Sequence, residues 1–175
     1  MEKISLFFTD EYDGKSSHDL LIKAATSVYK LKSPIISKGV YGKPFFDDAE
    51  APRFSISHSD SIWICAISKD EVGCDVQVTT EASRYMGVAK RFFHENELEE
   101  LNRSRNQKEM FFEIWSKKEA AAKLYGHGIS RDFKNIDTAH PSNELIIKAV
   151  LLPTPTPCTA YIAYGCDFDV EIKKI

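Results

Sequence analysis

The chain has 175 residues, 43% of them hydrophobic and 28% charged, and its formal net charge is −3. This length predicts one domain, or two small halves with a common core, and excludes a tandem of large domains. The composition excludes disordered, collagen-like and disulfide-dense classes, and the small net charge argues against wholesale binding to nucleic acid or anionic membranes, so any anion site must be local.

The start of the chain predicts a strand, a helix and a second strand. Residues 4–9 alternate loosely between apolar and polar types, which indicates a strand. A helix follows, because Ser16 or Ser17 can cap its start, apolar residues recur at three-to-four spacing, and Pro34 ends it. Residues 54–58 alternate with period two and predict the next strand.

The middle of the chain predicts a hairpin followed by helices. Residues 62–68 are apolar on both faces, and residues 72–78 alternate after a short polar turn. The two segments therefore predict a hairpin with a buried first strand. A helix is predicted over residues 80–93, and Asn96 with Glu99 resembles a capping box that opens another.

The last part of the chain predicts one long helix and then mostly sheet. The helix covers about residues 107–125, and Gly126 is a natural stop signal for it. Strands are predicted at residues 145–152, 159–164 and 168–172. No repeat of fixed period is visible, which excludes solenoids and propellers.

The sequence carries no signal for export or membrane insertion. Its four cysteines form no C-x-x-C pair, and no apolar run approaches the ~18 residues that a membrane span needs. The first residues lack the basic and apolar segments of a signal peptide. We therefore expect reduced cysteines, no membrane association and a cytoplasmic location.

An acid and an amide share one face of the strand over residues 72–78. Side chains alternate across a strand, so Asp75 and Gln77 point the same way. One interpretation is a solvated outer face of an edge strand. The other is a site for a hard cation, and it is favoured by Gly73, because a glycine inside a strand marks close approach by another backbone or a ligand.

A second stripe of chemistry lies on the long helix. Trp115, Glu119 and Lys123 recur at intervals of four, with three consecutive alanines between the two charges. Taken alone, Glu119 and Lys123 would be a surface ion pair worth about 0.3–0.5 kcal/mol. Against that, Trp115 on the same stripe should be at least half buried, and a run of alanines lets another group lie close to the helix backbone.

Three further positions have both an ordinary and a functional interpretation. His58 ends a strand beside Ser57, where an imidazole and a hydroxyl could meet a phosphate, although a lone histidine is more often structural. Lys43 is by default a loop lysine, and Glu97 is by default an acid that suits a helix N-terminus. None of these signals is specific alone.

Taken together and in order, these segments resemble the motifs of the 4′-phosphopantetheinyl transferases of the surfactin-synthetase-activating type. The motifs are Gly42-Lys43-Pro44, Phe54-Ser55-Ile56-Ser57-His58-Ser59, Val72-Gly73-Cys74-Asp75, Arg91-Phe92-Phe93 with Glu97, and Trp115-Ser116-Lys117-Lys118-Glu119-Ala120-Ala121-Ala122-Lys123. The resemblance covers about residues 40–130. It implies an α+β fold of two similar α/β halves related by a pseudo-two-fold, with the active site between them. The halves would be residues 1–80 and 81–175, in a single compact monomer.

The resemblance also implies a reaction. Phosphopantetheine would move from coenzyme A to a serine of an apo acyl or peptidyl carrier protein, with release of adenosine 3′,5′-bisphosphate. Asp75 and Glu119 would bind Mg²⁺, and Glu119 would also be the base for the serine hydroxyl. Lys123 would hold the diphosphate or the departing oxygen.

The remaining motif residues are assigned by the same resemblance. Lys43, Ser57 and His58 would contact coenzyme A, and Glu97 matches an acid near the metal or the active lysine. Many relatives carry Glu where this chain has Gln77, whose amide oxygen can ligate a cation but adds no charge. Contacts to the adenine from the N-terminal part have no confident counterpart in this sequence.

The alternative function comes from another class of protein. It is a non-catalytic module that binds carrier protein or coenzyme A, with Gln77 as the sign of decay. Asp75, Glu119 and Lys123 argue against it, because a decayed site should lose its acids first: buried charges without a metal are costly to keep.

Overall fold

The computed structural model describes residues 3–31, 34–79, 84–129, 131–166 and 168–175. Its strands are β1 (Lys3–Thr9), β2 (Ile36–Lys38), β3 (Pro44–Phe46), β4 (Arg53–Ser59), β5 (Ile62–Ser68), β6 (Val72–Val78), β7 (Ile146–Ala149), β8 (Cys158–Tyr164) and β9 (Asp169–Lys174). Its helices are α1 (Ser17–Tyr29), α2 (Tyr85–Phe92), α3 (Glu95–Arg103), α4 (Gln107–Tyr125) and a short 3-10 helix (Arg131–Asn135). The predicted α+β class is confirmed. The start of the helix predicted over residues 80–93 lies partly outside the described residues.

Two larger sheets and one small one make up the strands. The first sheet has the order β4-β5-β1-β9, the second has the order β6-β8-β7, and β2 pairs with β3. β9 lies parallel to β1, and every other described pair is antiparallel. Each larger sheet thus contains strands from both sides of residue 80. The division at that residue stays a prediction.

The predicted hairpin of residues 62–68 and 72–78 is wrong. β5 pairs with β4 on one edge, across a turn at Asp60, and with β1 on the other. Both edges of β5 are therefore taken by backbone hydrogen bonds, and β6 pairs instead with β8 in the second sheet. The apolar run of β5 reflects this central place, since all seven of its residues are buried.

One hydrophobic core joins the inner faces of the two larger sheets. It combines side chains of β1 and β5 with side chains of β6 and β8, and a second cluster lies under α1 on the other face of the first sheet. The main cluster includes Ile4, Leu6, Phe8, Ile62, Ile64, Val72, Cys74, Val76, Ile162 and Tyr164. The two sheets therefore form one packed unit.

The backbone of α4 lies directly against Gly73 in β6. A Cβ at Gly73 would lie 1.9 Å from the Ala120 carbonyl oxygen and 2.5 Å from the Leu124 nitrogen. The close approach predicted at this glycine is confirmed, and the approaching group is another backbone. Ala120, Ala121 and Ala122 are all buried in this contact region. The contact fixes the position of α4 along β6.

Replacing Gly73 by alanine should therefore force α4 away from β6. We expect a loss of unfolding free energy of about 1–3 kcal/mol, because overpacking displaces neighbours that cannot easily yield. Urea unfolding measures this loss. Gly87→Ala is the control, since a Cβ at Gly87 meets nothing within 4 Å. Equal stability of Gly73→Ala and the parent would contradict the close contact.

The structure agrees with one predicted helix boundary signal and differs from another. The boundaries predicted for α4 are confirmed, and Gly126 follows it in the left-handed conformation with φ 73°. The capping box predicted at Asn96 is wrong by two residues. The N-cap is His94, whose backbone N–H donates to the Glu97 carboxylate at 2.7 Å. Histidine is not a preferred N-cap residue, so the sequence pattern favoured the later pair.

Candidate active site

Three serines of β4 join it to β6 where the two larger sheets meet. β4 and β6 belong to different sheets and share no backbone ladder. The Ser55 and Ser59 hydroxyls accept hydrogen bonds from the backbone N–H groups of Cys74 and Val78, each at 3.0 Å. Ser57 lies between them on the same face of the strand. The candidate site is built on these side-chain contacts between β4 and β6.

Asp75 is the centre of the site. It is only 2% exposed. Its Oδ1 accepts from the Ser57 hydroxyl at 2.7 Å and from the Lys123 ammonium group at 2.8 Å. Its Oδ2 accepts from the Gln77 amide at 3.0 Å, so Asp75 and Gln77 do share a face. A solvated outer face does not describe this strand at Asp75.

Glu119 and Lys123 of α4 lie near Asp75, whereas Trp115 of the same stripe packs against aromatic rings of another cluster. Lys123 pairs with Asp75, which replaces the surface ion pair with Glu119 that was the ordinary interpretation. Burial raises the pKa of Glu119 to about 7, aided by the negative charge of Asp75 and opposed by Lys123. Burial disfavours the charged form of Lys123, but the neighbouring carboxylates outweigh it and raise the pKa of that group. The site holds two acids and one firmly charged lysine.

The oxygen ligands fit a hard cation better than a soft one. Among the described residues there is no group of three or more His, Cys, Asp or Glu side chains that could hold a metal ion. Asp75 and Glu119 supply two carboxylates, and Gln77 supplies an amide beside them. Burial, with the charge of Asp75 added to it, raises the pKa of Glu119, and a bound cation would favour the ionised carboxylate. Mg²⁺ fits such a site, because it keeps several waters and phosphate oxygens in its shell.

Two neighbouring cavities that share lining residues lie beside this site, between the turn of residues 39–43 and the end of α4. The larger has a volume of about 530 Å³ and includes Arg53 and Glu71, and the smaller has about 230 Å³ and reaches Lys123. Tyr41, Lys43 and Pro44 line both. Of the three charged groups of the site, Lys123 lines the smaller cavity.

Comparisons with known proteins match the part of the chain that carries this site. The model of the 4′-phosphopantetheinyl transferase superfamily matches residues 71–164, which include Asp75, Glu119 and Lys123. The chain is 32% identical over 138 residues to the 4′-phosphopantetheinyl transferase AcpT of Escherichia coli O157:H7, covering 73% of this chain and 70% of the relative. This chain belongs to the 4′-phosphopantetheinyl transferase superfamily.

Two further members of the superfamily are similar over shorter stretches. The 4′-phosphopantetheinyl transferase gsp of Aneurinibacillus migulanus is 42% identical over 97 residues, which are 54% of this chain and 39% of the relative. The 4′-phosphopantetheinyl transferase Sfp of Bacillus subtilis (strain 168) is 37% identical over 117 residues, which are 64% of this chain and 51% of the relative. The chain thus spans about half the length of these relatives.

The other residues assigned from the superfamily's motifs lie outside the hydrogen bonds around Asp75. His58 is exposed on the opposite side of β4 from Ser57, with its ring centroid 5.1 Å from that of Tyr12. The Lys43 ammonium group pairs with Glu71 at 2.6 Å. The coenzyme A contacts of Lys43, Ser57 and His58 stay predictions.

Glu97 is paired with Lys118. Both side chains are 0% exposed, and the closest Oε2 to Nζ distance is 2.8 Å. Glu97 also accepts from the backbone N–H and the hydroxyl of Thr138, and Lys118 donates to the Ile136 carbonyl. Among the described contacts, Glu97 therefore holds α3 and α4 together and does not touch Asp75.

Sequence reasoning missed two parts of this site. The structural role of Ser55, Ser57 and Ser59 had a signal, because three serines at spacing two on one strand face predict bonding to a neighbouring strand. Lys118 had no such signal, since a lysine beside Glu119 is expected to be solvent-exposed, and only the fold brings its partner Glu97 to it.

Among the described residues, no helix is both long and apolar enough to span a membrane.

Proposed function

We propose that the chain transfers the 4′-phosphopantetheine group of coenzyme A to a serine of an apo acyl or peptidyl carrier protein. Adenosine 3′,5′-bisphosphate is the second product. The observation that carries the proposal is the buried group of Asp75, Glu119 and Lys123, in which Lys123 also lines the smaller cavity. The names of the relatives, all 4′-phosphopantetheinyl transferases, support the same activity.

The proposal includes Mg²⁺ and a two-fold arrangement of the fold. Asp75 and Glu119 would hold the ion, with the Gln77 amide oxygen beside them. When bound, Mg²⁺ neutralises the diphosphate and polarises its phosphorus–oxygen bonds.

Two similar α/β halves related by a pseudo-two-fold would lie on either side of this site. The sequence-based expectation of a cytoplasmic monomer belongs to the same proposal.

The protein groups then divide the work of the transfer. The hydroxyl oxygen of the carrier serine bonds to the phosphorus that carries pantetheine, and Glu119 accepts the proton of that hydroxyl. The bond from this phosphorus to the bridging diphosphate oxygen breaks at the same time. Lys123 stabilises the charge that gathers on the departing phosphate. Asp75 orients Lys123 through their 2.8 Å contact. Burial of the group strengthens each of these charge interactions.

The cavities give coenzyme A its place in the proposal. The smaller cavity is lined by Lys123, and the turn around Lys43 forms one wall of both cavities. Ser57 and His58, which point to opposite sides of β4, would contact different phosphates of coenzyme A. Lys123 would face the diphosphate, so the pantetheine phosphorus would lie between Lys123 and Glu119.

The deciding experiment mixes the protein with coenzyme A, Mg²⁺ and an apo carrier protein. Mass spectrometry of an apo acyl carrier and an apo peptidyl carrier, in separate reactions, should show one phosphopantetheine added to a serine of at least one of them. A control without protein should show none. Binding of coenzyme A or carrier with no mass gain would support the non-catalytic module instead.

The position of Gln77 gives a test of the metal site. Gln77→Glu adds a negative charge beside Asp75 and Glu119, so we expect Mg²⁺ to bind several-fold more tightly. Isothermal calorimetry with Mg²⁺ in the presence of coenzyme A measures this directly, without turnover. Gln77→Ala should bind Mg²⁺ nearly as the parent does, with water in place of the amide. Unchanged Mg²⁺ affinity in Gln77→Glu would show that the cation does not bind at this face of β6.

A further inference from the structure

A pair of hydroxyl groups joins α4 to β8. Ser116, in the middle of α4, is 0% exposed, and its hydroxyl oxygen lies 2.9 Å from that of Thr159 in β8. Thr159 donates its own proton to the Phe112 carbonyl oxygen at 3.4 Å. A hydroxyl has one O–H donor, so Ser116 is the donor to Thr159. We call these three groups, the two hydroxyls and the Phe112 carbonyl, the hydroxyl bridge.

The hydroxyl bridge spans one turn of α4. Phe112 precedes Ser116 by four residues, so its carbonyl is also the helical acceptor of the Ser116 N–H group. A serine inside a helix can turn its hydroxyl back to that carbonyl. Here Thr159 donates to the carbonyl, and the Ser116 hydroxyl is directed to the strand. Thr159 therefore bonds to both ends of the same turn.

Packing alone does not require a hydroxyl at Ser116. The next position on the same side of α4 is Ala120, which is also 0% exposed. Alanine has the highest helix propensity and brings no polar atom that needs a partner in a buried site. Ser116 is thus the less favourable residue for the helix by itself. What it adds is a bond of fixed direction to β8.

Two contacts on different strands hold α4 against the second sheet. The backbone at Ala120 lies against Gly73 of β6, and the hydroxyl bridge lies at Thr159 of β8. One contact would leave the helix free to rotate about it, whereas two contacts fix both its position and its rotation. Glu119 lies between the two contact points, Ser116 and Ala120, along the helix. The direction of the Glu119 side chain therefore depends on both contacts.

The hydroxyl bridge meets the sheet beside the acids of the site. Thr159 is the partner of Gln77 in the register of β8 and β6, and paired residues share one face of a sheet. The Gln77 amide donates to Asp75 at 3.0 Å. The bridge therefore fixes α4 to the strand face that carries Asp75.

We propose that Ser116 and Thr159 are positioning residues for Glu119. The hydroxyl bridge fixes the rotation of α4, which keeps the Glu119 carboxylate beside the strand face of Asp75 in the orientation that accepts the serine proton. Neither positioning residue lines the two cavities beside Lys123, so we expect coenzyme A to bind without the bridge. The reaction that Glu119 serves rests on the proposed function, whereas the bridge rests on the contacts themselves.

Steady-state kinetics of carrier modification separate the hydroxyls from the shape of the side chains. Thr159→Val keeps the shape and removes the hydroxyl, whereas Thr159→Ser keeps the hydroxyl. We expect kcat about tenfold lower in Thr159→Val and in Ser116→Ala, because small displacements of a catalytic group are costly. The KM for coenzyme A should stay within about twofold of the parent value. Thr159→Ser should keep most of the parent kcat.

Ser68→Ala is the matched control for removal of a buried hydroxyl. Ser68 lies in β5, is 1% exposed and accepts a hydrogen bond from the Asp70 N–H group. Its loss should leave kcat near the parent value. Parental kcat in both Thr159→Val and Ser116→Ala would overturn the proposal, and so would equal loss in Thr159→Ser and Thr159→Val.

The double variant Ser116→Ala/Thr159→Val distinguishes positioning from a contribution to stability. It leaves neither hydroxyl without its partner, so urea unfolding should give nearly the parent midpoint. Its kcat should nevertheless stay as low as in the single variants, because both changes break the same bridge. Parental kcat in the double variant would show that the bridge does not position Glu119. A kcat that falls only as far as the folded fraction does would overturn the proposal as well.

Amide NMR signals of α4 provide a test without substrate. Lys123 lies about two turns beyond Ser116, too far for a direct effect of the substitution, so its amide signal reports movement of the helix. The signal should shift in Ser116→Ala and Thr159→Val but not in Ser68→Ala. An unchanged signal in both bridge variants would contradict the proposal. If the parent transfers no phosphopantetheine, the proposed function fails, while this signal still decides whether the bridge positions α4.

Discussion

Replacing Glu119 by glutamine is expected to lower phosphopantetheine transfer by at least about 100-fold, since general acid–base catalysis contributes that much or more. The side chain keeps its shape but can neither accept the serine proton nor supply a charged ligand. Burial of this carboxyl in a site it shares with Asp75 costs free energy, so the amide should leave the protein as stable as the parent or more so. Initial rates of carrier modification, with urea unfolding alongside, measure both quantities.

Glu113→Gln is the matched control for that change. Glu113 lies on the same helix, but its charge acts on Tyr161, where burial and then Glu113 raise the pKa to about 12. Its removal should leave transfer near the parent rate. Full activity in Glu119→Gln would refute the assignment of Glu119, and equal loss in both variants would mean that the helix responds to any change of charge.

Breaking the buried pair of Glu97 and Lys118 should have the largest effect on stability. Glu97→Gln or Lys118→Met leaves one buried group without its partner, which costs about 3–5 kcal/mol of unfolding free energy. The double variant should lose less than the sum of the two, because it leaves no lone charge behind. Urea denaturation of the three variants gives the interaction energy.

An exposed ion pair on α3, the helix that carries Glu97, provides the comparison. Arg103 and Glu99 pair on α3 with side chains 76% and 58% exposed. Arg103→Ala should cost less than about 1 kcal/mol, as surface pairs generally do. Similar losses in Arg103→Ala and Lys118→Met would show that burial does not set the cost of breaking the Glu97 pair.

The sequence was most informative where local pattern and tertiary structure agree. The bounds of α4 followed from helical periodicity and Gly126, because both signals depend on neighbours along the chain. The shared face of Asp75 and Gln77 followed from strand alternation alone. The close approach at Gly73 was also predictable, since the missing side chain is itself the signal.

The failures concern partners that are distant along the chain. The pairing of β6 with β8, and not with β5, depends on β1 occupying the free edge of β5. The burial of Lys118 depends on Glu97 and on Ile136. Lys43 reads as an ordinary loop lysine until the end of α4 is placed beside it. Periodicity along one segment carries no information about which other segment lies against it.

The parallel pairing of β9 with β1 has a consequence for how the chain folds during synthesis. β1 is made first among the described strands, but the partner on one of its edges is made last. With synthesis at about 5–20 residues per second, the chain between β1 and β9 takes roughly 8 to 30 seconds to make, and that edge stays open for this time. During this time β1 presents unpaired backbone groups to other nascent chains. Ribosome-bound chains that stop before residue 169 should therefore be prone to aggregation and need a chaperone until the last strand emerges.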